Sequence, residues 1–115
     1  MTYREYIAYI GDYKFLSSAE ELLGQIGFPP EMTLSADGLL KAVNIIAAVA
    51  DGKIKELVLL SDLSMRAFAL KYMIPYRTMQ DWCSGVRTPP DYVAILIGWE
   101  MITELPTEVD TDGDI

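Results

Sequence analysis

The chain contains no histidine and a single cysteine, Cys83. The first absence excludes Ser-His-Asp and Cys-His catalysis and every imidazole-based metal site. The second excludes an intramolecular disulfide and a Cys-rich zinc site. Cys83 reads as a half-buried helix residue rather than a nucleophile. No apolar run approaches the roughly 18 residues that a spanning helix needs; the longest, 42–50 and 92–99, are short, and Asn44 interrupts the first. The N-terminus carries Arg4 and Glu5 and has no apolar h-region, so no secretory signal is visible and a cytoplasmic location is expected. Gly/Ser linkers, Pro-rich tracts and fixed-period repeats are also lacking. No catalytic constellation stands out among the scattered carboxylates, so no enzyme activity, cofactor or metal is expected. Asp110-Thr111-Asp112-Gly113-Asp114 resembles the start of a calcium loop, but the remainder of that loop is missing.

What is present suits one small globular domain. The 115 residues are 51 % hydrophobic, which excludes disorder over most of the chain. The formal net charge is −8, and it is unevenly spread. Half of it lies in the last eleven residues, which hold Glu108, Asp110, Asp112 and Asp114 and no base. Between Ser64 and Thr88 the balance reverses, with four bases against Asp81 alone. An acidic protein thus carries a locally basic segment.

Helix signals recur along the chain. Ser17 and Ser18, followed by Glu20 and Glu21, have capping-box spacing and predict a helix to about Gln25, ended by Gly27-Phe28-Pro29-Pro30. Residues 35–50 are apolar nearly all round and predict a buried helix closed by Asp51-Gly52. Shorter helices follow over Lys53–Leu60, over Met65–Tyr72 with Ser64 as N-cap, and from Pro75 to Ser84 with Gly85 as stop. Thr88-Pro89-Pro90-Asp91 predicts a last helix to about Leu105, with Thr88 as N-cap. Only Tyr3–Tyr9 is ambiguous between strand and helix. The expected fold is an all-α compact helical bundle. Residues 1–51 form an N-terminal helical region, 52–105 a helix-turn-helix domain and 106–115 a disordered acidic tail.

The segment SMRAFALKYMIPYRTMQDWCSGVRTPPDYV, residues 64–93, carries the functional signal. Two short helices meet at Met73-Ile74-Pro75, and the small Ala69 lets the second cross the first closely. This stretch resembles the phage Cro/repressor-type, lambda-repressor-like helix-turn-helix domains of bacteria and mobile elements. The resemblance rests on Arg66, Phe68, Ala69, Tyr72, Ile74, Pro75, Arg77, Thr78, Gln80, Trp82, Gly85, Arg87, Pro89, Pro90 and Tyr92. It covers about thirty residues closely and 53–104 with the flanking helices; residues 1–50 resemble no family. Two positions depart from it: Met73 replaces a left-handed turn glycine, and Asp81 stands where asparagine is frequent.

The resemblance implies a sequence-specific DNA-binding transcriptional regulator of repressor type, with helix 75–84 in the major groove of double-stranded DNA. Tyr76, Arg77, Thr78, Gln80 and Asp81 would face base edges; Arg pairs with guanine, Gln with adenine and Asp with cytosine. Arg66, Lys71, Ser84 and Arg87 would touch phosphate. Trp82 and Phe68 are expected in the core. The last helix bears more apolar residues than one stripe can bury, from Tyr92 to Ile102, which suggests a homodimer contact or packing on helix 35–50. The competing class is an acidic, anti-CRISPR-like inhibitor that binds a protein partner through its negative surface, since phosphate contacts dominate DNA affinity and the net charge opposes them.

Overall fold

The computed structural model describes residues 1–16, 18–26 and 34–105. These residues build an all-α bundle: α1 (Tyr3–Tyr13), α2 (Ala19–Ile26), α3 (Ala36–Ala50), α4 (Ile54–Leu60), α5 (Met65–Lys71), α6 (Tyr76–Ser84) and α7 (Asp91–Thr103). None of the described helices is long and apolar enough to cross a membrane. Ser17, the stop signal at 27–30 and the acidic segment 106–115 lie outside the described residues.

Residues 3–9, ambiguous in sequence, are helical. Thr2 Oγ1 accepts the Glu5 amide at 3.1 Å, and the Glu5 carboxylate accepts the Thr2 amide at 2.7 Å. This capping box satisfies amides that the first turn leaves unpaired. The hydrogen bonds from Thr2 also lower the Glu5 pKa. Tyr6 and Ile10, one turn apart, are the residues α1 buries. α2 begins after Ser18, whose Oγ accepts the Glu21 amide at 3.3 Å, as the capping pattern predicts.

α3 is the centre of the bundle and packs against α1, α2, α4 and α7. Ser35 Oγ caps it at the Gly38 amide, 3.0 Å away. Eight of its fifteen residues are buried, from Gly38 to Val49. It ends at Gly52 in the left-handed region, φ +69°, with the Gly52 amide on Val49 O and the Lys53 amide on Ala48 O. That pair of bonds is the Schellman motif, which pairs two of the last carbonyls.

α7 lies against α3 because residue 98 is glycine. A Cβ there would sit 2.5 Å from Val49 Cγ2 and 2.6 Å from the Tyr6 hydroxyl. Tyr6 is fully buried, and its hydroxyl donates to Ile95 O at 2.7 Å, so its polar end is satisfied. Burial raises the Tyr6 pKa. Trp99 closes this corner, with its ring centroid 5.4 Å from those of Tyr3 and Tyr6. The buried residues of α1 through α7 form one cluster, so the segments 1–51 and 52–105 share a core.

Two helix starts differ from the sequence expectation. Pro75 is the N-cap of α6, one residue earlier than the first helical position. α7 is capped by Pro90 and not by Thr88, and Asp91 is its first residue. A residue that precedes proline is pushed out of the helical region, so Pro89 cannot open a helix that contains Pro90.

Candidate nucleic-acid interface

α5 and α6 pack on each other. Ser64 Oγ accepts the Ala67 amide at 3.1 Å and starts α5. Phe68 and Ala69 are buried on α5, and Met79 on α6. Trp82, expected in the core, lies at its margin, half-buried.

The turn between the two helices keeps the left-handed backbone although it lacks glycine. Met73 has φ +55°. Its amide donates to Leu70 O at 3.2 Å, and the next amide, Ile74, donates to Ala69 O at 2.8 Å. This is again the Schellman pair. The Met73 side chain is 90 % exposed, so no packing holds it there.

With Met79 anchored inward, the helical repeat puts Arg77, Gln80 and Ser84 on one exposed stripe of α6. The other expected base contacts flank that stripe. Thr78 and Tyr76 are half-buried, and the Arg66 guanidinium lies 4.1 Å from the Tyr76 ring centroid. This cation–π contact joins α5 to α6. Asp81 borders the stripe, its side chain 20 % exposed, with Oδ1 3.5 Å from Arg77 Nε and Oδ2 3.8 Å from Arg87 Nε. Ser84 Oγ donates to Asp81 O at 3.2 Å. Arg77 and Arg87 therefore share the Asp81 carboxylate, while Arg66 stands over Tyr76 at the start of α6.

Lys71 belongs elsewhere. Its Nζ lies 2.5 Å from Glu104 Oε1 and 3.8 Å from Glu100 Oε1, at the end of α7. The hydrogen bond to Glu104 raises the Lys71 pKa, and the same bond lowers that of Glu104. Tyr72 completes the group by donating from its hydroxyl to Glu100 Oε1 at 2.5 Å. Burial, followed by this carboxylate, raises the Tyr72 pKa.

The Cys83 thiol is half-buried, and burial pushes its pKa up more than nearby Lys55 pulls it down. A thiol raised in this way is a poor nucleophile at neutral pH. Among the described residues no three acidic or sulfur side chains converge as a metal site would require.

Sequence reasoning missed two features. One is the carboxylate pair Glu100 and Glu104, which holds Lys71 from thirty residues away; no local pattern announces it. The other is an open apolar groove of about 400 Å³ between the α5–α6 turn and α7, with Trp82, Tyr92, Val93 and Leu96 on its walls. Tyr92 and Leu96 are exposed, whereas Ala94, Ile97, Gly98, Met101 and Ile102 of the same helix are buried. The surplus of apolar residues on the last helix thus divides between an inner face on α3 and an outer face at the groove. No family model, curated protein or solved structure matches the chain.

Proposed function

We propose that the chain is a sequence-specific DNA-binding transcriptional regulator of repressor type, of phage or mobile-element character, which acts in the cytoplasm as a homodimer. The observation that carries this function is the exposed stripe Arg77–Gln80–Ser84, opposite the buried Met79. A nine-residue helix about 13 Å long fits the major groove. Arg77 suits guanine and Gln80 suits adenine, each through two hydrogen bonds. Arg66, beside Tyr76, and Arg87, beyond the end of α6, suit phosphate; the Ser84 hydroxyl would donate there only by leaving Asp81 O. Lys71, engaged by Glu100 and Glu104, contributes less than a free lysine would. The resemblance of residues 64–93 to repressor-type domains, left-handed turn included, supports the same function. The outer face of α7 supports the dimer, since a twofold mate seated there would cover Tyr92 and Leu96 and present two reading helices to two half-sites.

A second function, inhibition of a basic protein partner through an acidic surface, is favoured by one observation. Each cation assigned to DNA already has a carboxylate or a ring beside it, and the whole chain carries −8.

Selection from a random duplex library at two salt concentrations separates the two. A palindromic site should emerge. Arg77→Ala or Gln80→Ala should cost about 1–3 kcal/mol at that site and relax the base preference there. Arg87→Ala should weaken all sequences alike and reduce the salt slope by about one. Absence of binding even at low salt would overturn DNA recognition and direct the search to basic nucleic-acid enzymes as partners.

A further inference from the structure

Asp81 was expected to read a base. In the structure it lies between two arginines. Each of its two carboxylate oxygens faces one arginine: Oδ1 faces Arg77 Nε at 3.5 Å, and Oδ2 faces Arg87 Nε at 3.8 Å. The carboxylate is 20 % exposed, while the two arginines are 86 % and 75 % exposed. The acid therefore sits beneath two guanidinium groups that project beyond it.

The main chain ties the same residues together. Gly85, with φ +83°, turns the backbone out of α6. The Arg87 amide then returns to donate to Asp81 O at 3.2 Å, and Ser84 Oγ donates to the same carbonyl at 3.2 Å. Arg87 is thus bound to residue 81 by backbone and by side chain, although it lies beyond the end of the helix. Arg77 reaches residue 81 by the i, i+4 spacing of α6.

We propose that Asp81 is a positioning residue that sets specificity: it holds Arg77 and Arg87 together and charges DNA phosphates an electrostatic penalty that only a matched site offsets. This rests on the DNA-binding function above. The physical basis is twofold. An arginine already oriented loses less rotamer freedom on binding than a free one. A carboxylate between two guanidinium groups also reduces the positive charge that any phosphate backbone meets, and specificity grows when wrong partners are penalised. Both arginines are exposed and their pairs with Asp81 are weak, so the base edge of a matched site can draw Arg77 off the carboxylate.

The test uses the full chain with Asp81→Asn, which keeps shape and removes charge, and Asp81→Glu, which keeps charge. Circular dichroism verifies that both are folded. Two readouts follow. In the first, the arginine Nε–Hε resonances are recorded without DNA. Those of Arg77 and Arg87 should shift and exchange faster with solvent in Asp81→Asn, those of Arg4 and Arg66 should not, and Asp81→Glu should largely restore the native pattern. In the second, affinity for random-sequence duplex and for the selected site is measured over a salt series. Asp81→Asn should bind random duplex several-fold more tightly, with a salt slope steeper by about one to two. The ratio of specific to random binding should fall, and Asp81→Glu should recover it.

Unchanged Arg77 and Arg87 resonances would overturn the positioning role. An unchanged salt slope and specificity ratio, with shifted resonances, would overturn the effect on specificity. If neither the native chain nor the variants bind DNA, the proposal falls together with the DNA-binding function, and the resonances show whether the arginines were held regardless.

Discussion

Met73 occupies the left-handed region at φ +55° with its side chain 90 % exposed. An L-residue there costs roughly 1–2 kcal/mol, because its Cβ crowds the backbone. Glycine avoids that crowding but has more freedom to lose on folding. Met73→Gly is therefore expected to stabilise the chain by a net of about 0.5–1 kcal/mol, seen as a higher urea midpoint at unchanged slope. A lower midpoint would mean that the exposed methionine is held by something other than the turn. Asp62, at φ +63°, has the same backbone at the end of α4, but aspartate tolerates it better than methionine. The replacement of glycine by Met73 was visible in sequence. That the turn keeps its left-handed form was not, because two hydrogen bonds, from Met73 to Leu70 O and from Ile74 to Ala69 O, outweigh the local strain.

Among the elements, α7 depends on a single small residue. Gly98→Ala would drive a methyl into Val49 Cγ2 and the Tyr6 hydroxyl. Val49 is β-branched and stiff. Tyr6 cannot retreat without losing its bond to Ile95 O. The expected cost is about 1–3 kcal/mol, read by chemical denaturation, and a neutral outcome would show that α7 can slide on α3. The starts of α2, α3 and α5 and the ends of α3 and α6 were legible because Ser18, Ser35, Ser64, Gly52 and Gly85 mark them by capping chemistry. α1 was not, because its tyrosines suit strands as well as helices. Yet Thr2 and Glu5 have the same spacing as Ser18 and Glu21, and that signal was sufficient to identify it. α7 began later than expected because two consecutive prolines cannot both enter a helix. Of the interface, the pairing of Arg77 with Asp81 follows from i, i+4 spacing, whereas the return of Arg87 to Asp81 depends on the Gly85 turn. The capture of Lys71 by Glu104 depends on tertiary packing, which no local pattern encodes.

At the scale of the molecule, the absence of histidine and the pairing of Lys71 with Glu104 shape the response to pH. The Glu104 pKa is lowered, so its contribution to stability is present above the ordinary carboxylate value and is lost as pH falls through the lowered one. The Lys71 pKa is raised, so its contribution is present below the ordinary lysine value and is lost as pH rises through the raised one. Glu104→Gln should therefore melt slightly below the native chain at pH 7, and the gap should close at both extremes. A gap that persists in acid would indicate that Glu104 acts through packing rather than charge. The pair is exposed, so the gap at neutral pH should be small and should shrink with added salt.

The separation of α6 into an anchored side and an exposed side has an evolutionary consequence. Met79 fixes the helix to the bundle, while Arg77, Gln80 and Ser84 project away from the core. Surface substitutions of that kind usually change stability by less than about 0.5 kcal/mol. A lineage can therefore rewrite these three positions one at a time without passing through an unfolded intermediate. The scaffold is inherited, and the exposed stripe can drift.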